Sequence, residues 1–173
     1  AANFTYECEL NAKPPAVIQV ESNQLESRRL RKGDILIEKS GGGDNQPVGR
    51  AVLFSSVGEN WSYSNFTVRF RLHVKECTVP EFVHAFLYFI FRSGRTEPFQ
   101  KNTTNIRNLQ MTDYLGSGFP LPPLEEQQEI VRRLEMQLKK LDALQLELEQ
   151  SKEAGQLLLK SKLAEVFDLD TAD

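Results

Sequence analysis

The chain has 173 residues, of which 40% are hydrophobic and 26% charged, a composition typical of folded proteins rather than of disordered chains. No apolar run approaches the roughly 20 residues that a membrane-spanning helix needs, which argues against a membrane protein. Two cysteines, Cys8 and Cys77, are too few for a disulfide-rich scaffold, and we expect both thiols to be reduced.

The net charge of −3 is unevenly distributed along the chain. Residues 1–119 carry 14 Lys and Arg against 12 Asp and Glu, whereas residues 120–173 carry 7 against 12. The segment 92–107 holds four basic residues and only one acidic residue. Because a local basic patch can bind phosphate on an acidic protein, the total charge does not exclude a nucleic-acid partner.

The chain divides at the Gly- and Pro-rich segment 116–123. Short apolar runs separated by turn residues precede this segment, whereas the sequence after it lacks proline and is rich in Leu, Glu, Gln, Lys and Arg. We predict a globular domain at 1–119, a long helix at 120–168 and a short tail at 169–173.

The first part predicts strands separated by polar turns. A turn at 32–34 precedes the apolar run 35–37, which we expect to be a buried strand. A glycine-rich polar loop at 40–47 leads to a second strand at 48–54. Residues 66–72 alternate strictly, which predicts a strand with Phe66 on its buried face and Arg69 and Arg71 on a wet face.

A helix is expected to follow. Thr78 is a candidate N-cap with Glu81 in a capping box, and Pro80 is tolerated in the first turn. The helix is apolar on most sides and hence buried, and Gly94 suits a left-handed residue past its end. The predicted fold class is therefore α+β: a small globular domain with a twisted sheet, followed by one long C-terminal coiled-coil-type helix.

That last helix carries acidic residues in its first turns, which favour the positive end of the helix dipole. Apolar residues then recur at heptad spacing. A helix from about 125 to 167 is roughly 60 Å long, longer than a domain of this size, so we expect it to need a partner helix. The alternative is a hairpin folded back at Gly155. The predicted contact stripe is Ile130, Leu134, Leu141, Leu144, Leu148 and Leu158.

The sequence shows no common catalytic or metal-binding motif. Its two histidines and two cysteines are scattered without ligand spacing, so no metal site is predicted. His84 falls on the pattern of the buried helix and is interpreted as a structural residue. These observations argue against catalysis by this chain alone.

Two polar segments, 40–46 and 101–107, are rich in side chains that contact base edges or phosphates. Their glycines allow close approach of a backbone. The alternative is that both are simply solvated loops. The candidate contact residues are Lys39, Ser40, Gly41, Gly42, Asn45, Gln46, Arg50, Arg95, Lys101, Asn102, Thr103, Thr104 and Arg107, and whether Arg50 would meet a phosphate or a guanine stays open.

Several segments together resemble the specificity subunits of Type I restriction–modification systems. The runs LRKGDILI at 30–37 and NIRNL at 105–109 resemble parts of a target recognition domain of that family. Most specific is FPLPPLEEQQEIV at 119–131, which resembles the junction between that domain and the family's long helix.

The resemblance implies a non-catalytic, cytoplasmic protein that recognises double-stranded DNA. Such subunits pack two long helices antiparallel to set the spacing of two half-sites. Methyltransferase subunits, which bind S-adenosylmethionine, dock on these helices, and motor/nuclease subunits use ATP and magnesium. This chain has one domain and one helix, where a complete subunit has two of each, so it is a half: a natural half-subunit, a fragment or an engineered piece. A homodimer through the helix would restore the complete geometry. A coiled-coil protein-interaction adaptor is the alternative.

Overall fold

The computed structural model describes residues 2–11, 13–43, 46–56, 58, 60–73, 76–103 and 106–167. It contains both strands and helices, as the predicted α+β class requires, and the chain divides into two compact units, Ala1–Val131 and Arg132–Asp173. The domain boundary after residue 119 stays a prediction. The helices are Ser22–Arg28 (α1), Pro80–Arg92 (α2), Met111–Leu115 (α3) and Leu124–Phe167 (α4), and the strands are Ile35–Glu38 (β1), Ser40–Gly42 (β2), Ala51–Leu53 (β3), Thr67–Phe70 (β4), Gln100–Thr103 (β5) and Ile106–Leu109 (β6).

The first sheet is antiparallel, with the order β3-β1-β4. Ile35 of β1 pairs with Leu53 on one side and with Phe70 on the other. Every residue of β1 is buried, because this central strand is covered on both faces. A short apolar run without alternation is typical of such a strand, and the predicted buried strand at 35–37 is confirmed. The predicted strand at 48–54 is shorter than expected and spans only Ala51–Leu53.

Two apolar cores flank this sheet. On one face, Ile35 and Ile37 pack with Val83, Leu87 and Ile90 of α2. On the other face, Leu36 and Val52 form a second core. They pack with Phe4, Leu30 and Phe54.

The burial of side chains along β4 differs from the prediction. Thr67 is buried, and Arg69 and Arg71 are half-buried, whereas Phe66 is exposed and precedes the strand. The predicted wet face is wrong because the backbone of Arg29 and the carboxylate of Asp34 lie against the two arginines. The alternation of apolar and polar residues in β4 does not show that a segment far away in the sequence packs against the polar face.

The predicted start of α2 is wrong by one residue. The N-cap is Val79 rather than Thr78, and no side chain of the cap closes the first turn. Instead, the backbone N–H of Val79 donates a hydrogen bond of 3.1 Å to Oε1 of Gln127, in the first turn of α4. The end of α2 is as predicted: Gly94 has a φ of +72°, and its N–H donates to the carbonyl of Phe91. His84 is structural, since its Nε2 lies 3.0 Å from the carbonyl of Ala51.

Helix α4 is continuous over 44 residues, which corresponds to about 66 Å at 1.5 Å per residue. It passes through Gly155 without a break, so the hairpin alternative is wrong. The predicted stripe leucines at 134, 141, 144, 148 and 158 are all exposed.

Neither Cys8 nor Cys77 forms a disulfide; Cys8 is buried and Cys77 is exposed. Burial raises the pKa of Cys8 above its ordinary value. In the part of the chain that the structure describes, no helix combines the length and hydrophobicity needed to cross a bilayer.

Candidate nucleic-acid interface

A second antiparallel sheet, with the order β2-β6-β5, brings the two polar segments together. Ser40 pairs with Asn108, although the two residues are 68 positions apart in the sequence. On the other side of β6, Asn102 pairs with Arg107. These segments are predicted from the sequence as two separate loops. The fold makes them neighbours in one surface, which we call the polar sheet (residues 40–42, 100–103 and 106–109).

The prediction that these segments are loops is therefore wrong for most of their residues. Apart from Ile106, the side chains of these segments are polar, so no apolar alternation marks the strands. The register shifts between Ser40 and Gly42, as in a β-bulge, which interrupts the pattern further.

The two glycines of β2 have different roles. Gly41 is exposed and has a φ of +112°, a conformation that side-chain-bearing residues rarely adopt. Gly42 is buried, and a Cβ atom there would lie only 2.1 Å from the carbonyl oxygen of Gln46. Gly42 is thus needed for the close turn of the chain, while Gly41 leaves the backbone accessible.

Polar side chains on this sheet are held in place by hydrogen bonds. The hydroxyl of Ser40 donates to Oδ1 of Asn108 at 2.6 Å, and Nδ2 of Asn108 donates to the carbonyl of Ile106 at 3.2 Å. Asn108 is not among the residues predicted from the sequence, although it lies in the segment NIRNL at 105–109. Its role here is to orient Ser40. A fixed orientation favours specific contacts, because little rotamer entropy is lost on binding.

The segment that follows β2 is anchored to β5 by Gln100. Its side-chain amide donates to the carbonyl of Val48 at 3.0 Å and accepts from the N–H of Val48 at 3.3 Å. The same amide donates to Oγ1 of the buried Thr96 at 3.1 Å. The 46–48 segment is thereby fixed against the edge of the sheet.

The other candidates occupy different positions. Lys101, Asn102 and Gln46 are exposed, and Arg107 is half-buried on β6. Lys39 lies where the chain passes from β1 to β2, and its N–H donates to the carbonyl of Phe66 at 2.9 Å. Three predictions concern parts outside the described residues: Asn45, Thr104 and the side chain of Thr103. Arg95 follows α2, with its guanidinium 4.9 Å from the centroid of the Phe89 ring.

Arg50 is placed differently from its prediction. Its side chain is buried and makes two hydrogen bonds to Glu38, of 2.8 and 2.6 Å. A third bond, of 2.7 Å, runs to the carbonyl of Phe4. The bond to Glu38 raises the pKa of Arg50 above its ordinary value. Arg50 is thus a buried ion-pair residue whose guanidinium is already hydrogen-bonded, and with Glu38 it lines a pocket beside the polar sheet. We therefore leave it out of the proposed contact set.

A shallow pocket of about 500 Å³ adjoins the polar sheet. Ser40, Gly41 and Gln46 line it, together with Phe66 and Ile106. The last two are 51% and 44% exposed, which is unusual for large apolar side chains on a polar surface. The alternation pattern predicts Phe66 on the buried face of a strand. The sequence therefore does not indicate that this ring lines a surface pocket.

The fold and the site define a class of protein: a small α+β domain with a polar, hydrogen-bonded sheet, in a chain that ends in a long helix with an exposed leucine stripe. The chain belongs to the Type I restriction modification DNA specificity domain family, whose model matches residues 4–157. The resemblance seen in the sequence is thereby confirmed.

Two relatives illustrate the relationship. Over 154 residues, 87% of its length, the chain is 26% identical to the Type I restriction enzyme StySPI specificity subunit of Salmonella potsdam. Its fold is similar to the crystal structure of the HsdS subunit from Thermoanaerobacter tengcongensis, with a TM-score of 0.59, 23% identity and 84% of this chain covered. The chain spans 32% of the length of the first relative and 36% of the second.

Proposed function

We propose that this chain recognises a specific sequence in double-stranded DNA, as the DNA-reading part of a Type I specificity subunit. One observation carries the proposal: in a chain of this family, two polar segments far apart in the sequence converge on one ordered sheet.

Each part of that surface has a chemical role in the proposal. Lys39 and Lys101 bind phosphates, which positions the protein without reading sequence. The amides of Gln46 and Asn102 pair with adenine, and Arg107 pairs with a phosphate or a guanine. The exposed rings and methyl groups of Phe66 and Ile106 suit the methyl group of thymine, the one apolar group on the edge of a base pair in the major groove. The full set is Lys39, Ser40, Gly41, Asn45, Gln46, Arg95, Lys101, Asn102, Thr103, Thr104 and Arg107, with Phe66 and Ile106 added. Gly42 and Arg50, which the sequence also predicts to contact DNA, are left out because both are buried.

The long helix has a separate role. Its exposed leucines, at 134, 141, 144, 148 and 158, form a stripe that we propose pairs with a second helix of the same kind, in a homodimer or within a complete subunit. The paired helices set the spacing between two half-sites and bind methyltransferase subunits. In such an assembly the methyltransferase subunits bring S-adenosylmethionine, and the motor/nuclease subunits bring ATP and magnesium. The chain itself catalyses no reaction and works in the cytoplasm.

The experiment has two stages. Methylated adenines are first mapped in DNA from the host, with and without this gene, which identifies the recognised sequence. Binding of that duplex and of a scrambled duplex is then measured against salt concentration, with the methyltransferase subunit present. Specific binding that weakens steeply with salt is expected. Absence of any salt-dependent duplex binding would instead favour a protein-interaction adaptor.

Variants separate the two kinds of contact. Lys101→Ala should weaken binding to both duplexes alike and reduce the salt slope by about 1. Asn102→Ala should relax specificity at one base pair, at a cost of about 1–3 kcal/mol. Lys13→Ala, which alters an exposed lysine outside the polar sheet and outside α4, is the matched control and should change neither quantity. If all variants of the polar sheet bind like the wild type, the proposed interface is wrong.

A further inference from the structure

A second concentration of positive charge lies away from the polar sheet. It gathers residues from the end of α1, from the turn before β1, and from β4 and the residue after it. We call it the arginine surface and define it as Arg28, Arg29, Arg31, Lys32, Arg69 and Arg71. The pocket that Arg31, Lys32 and Arg71 line also contains the carboxylates of Asp34 and Glu81. The whole protein carries a net charge of −3, so six cations in one place are a marked local excess.

Hydrogen bonds hold the two contributing segments together. Arg69 of β4 and Arg71, which follows that strand, both donate to the carbonyl of Arg29, at 2.9 and 3.0 Å. The guanidinium groups of Arg28 and Arg69 each lie 6.0 Å from the centroid of the Tyr63 ring. The arrangement therefore exists before any partner binds.

Asp34 compensates only part of this charge. Its buried carboxylate accepts two hydrogen bonds from Arg71, of 2.5 and 2.7 Å, and one of 2.7 Å from the backbone N–H of Arg31. These contacts fix the turn 31–34, in which Gly33 has a φ of +91°. The side chains of Arg31 and Lys32 remain exposed on that turn. The Asp34 carboxylate pairs directly with Arg71, and its single negative charge offsets only one of the six positive charges.

The positive charges of the arginine surface repel one another. The fold holds these side chains close together, although fewer carboxylates than cations lie beside them. A polyanion relieves that repulsion and releases its own counterions on binding. We propose that the arginine surface binds the phosphate backbone of the DNA that the polar sheet reads. This inference rests on the proposed function and adds to it a second, non-sequence-specific contact region.

One strand connects the two surfaces. Asp34 directly precedes β1, and Ser40, the first residue of the polar sheet, follows β1 after Lys39. At about 3.3 Å per residue, the six steps from Asp34 to Ser40 put these two residues no more than roughly 20 Å apart. A duplex of more than about six base pairs is longer than this distance, so one duplex can contact both surfaces.

The experiment is a triple variant that removes three charges and leaves the Asp34–Arg71 pair intact: Arg28→Gln, Arg31→Gln and Lys32→Gln. Binding to the mapped duplex and to a scrambled duplex is measured from low to moderate salt, with the methyltransferase subunit present. We expect affinity to fall by a similar factor on both duplexes and the log–log salt slope to drop by about 3. A second variant, Arg28→Lys with Arg31→Lys, keeps the charge and should keep the wild-type slope.

The control removes two exposed cations of the globular domain that belong neither to the polar sheet nor to the arginine surface: Lys13→Gln and Arg92→Gln. It should leave the slope unchanged. Thermal unfolding of every variant shows whether the fold is intact.

The outcomes separate this inference from the proposed function. If the wild type binds the mapped duplex and the triple variant keeps its slope, the arginine surface does not bind DNA, while the proposed function stands. A third outcome is that the triple variant no longer sediments with the methyltransferase subunit, while the salt dependence of its DNA affinity is unchanged. The surface then binds an acidic protein, and the inference is overturned. If the wild type binds no duplex at all, both proposals fail.

Discussion

The side chain of Gln127 is completely buried, and its Oε1 accepts a hydrogen bond of 3.1 Å from the backbone N–H of Val79. Its Nε2 donates to the carbonyls of Cys77 and Pro122, both at 2.8 Å. One side chain in the first turn of α4 thus caps the start of α2 and fixes the proline segment before α4. These contacts all lie within the unit Ala1–Val131.

Replacing this amide should destabilise the domain. Gln127→Ala leaves one backbone N–H and two backbone carbonyls without their partner, and we expect a loss of about 2–3 kcal/mol in the free energy of unfolding. Urea denaturation followed by circular dichroism measures it. The neighbouring Gln128→Ala alters an exposed side chain and should stay within about 0.5 kcal/mol of the wild type. Equal effects of the two substitutions would contradict the capping role.

The buried pair of Arg50 and Glu38 should behave as a unit. Arg50→Met leaves the Glu38 carboxylate buried without its charge partner, which should cost about 3–5 kcal/mol. Adding Glu38→Gln to that variant removes the uncompensated charge and should recover part of the loss. Denaturant unfolding of the two single variants and the double variant gives the coupling energy. Strict additivity of the two effects would show that the pair does not interact.

Asp34 should make stability depend on pH at the acid end. Burial alone would raise the pKa of its carboxyl, but the hydrogen bonds from Arg71 and from the N–H of Arg31 outweigh it and hold the pKa below the ordinary value. A lowered folded-state pKa contributes stability that is present above the unfolded value, about 4, and is lost as the pH falls through the folded-state value. Asp34→Asn should therefore lower stability at neutral pH and flatten its loss below about pH 4.

Urea midpoints between pH 7 and pH 2.5 provide the measurement for Asp34. Asp113→Asn removes a carboxylate from an exposed position in α3 and serves as the control. If stability falls equally steeply below about pH 4 in the wild type and in Asp34→Asn, the ion pair of Asp34 is not the cause of that loss.

The leucine stripe of α4 can be tested with two equivalent residues. Leu141 and Leu146 are 54% and 56% exposed, but only Leu141 lies in the predicted contact stripe. If the stripe pairs with a second helix, Leu141→Glu buries a charge in the interface and should shift the protein to monomer by tenfold or more in dissociation constant. Leu146→Glu should leave the association unchanged. Sedimentation equilibrium distinguishes the two, and a wild type that is monomeric at micromolar concentration would count against the homodimer.

Local patterns in the sequence were sufficient for several elements. The apolar run of β1, the glycine past the end of α2 and the long helical stretch of α4 each depend on residues close together in the chain. The motif at 119–131 also indicated the family, because its residues form one continuous segment. The polar composition of 40–46 and 101–107 identified the right segments for the proposed interface, though not their strand structure.

The remaining features depend on contacts between distant residues, which no local pattern records. Arg50 has the same chemistry as an exposed DNA-binding arginine, and only its approach to Glu38 and Phe4 makes it a core residue. Arg69 and Arg71 look solvent-facing in the alternation of β4, but the backbone of Arg29 lies against them. The sequence by itself thus determined the helix, the central strand and the chemical character of the interface. Tertiary packing decided which charged side chains are buried and which polar segments share a sheet, because burial and strand pairing depend on where the rest of the chain folds.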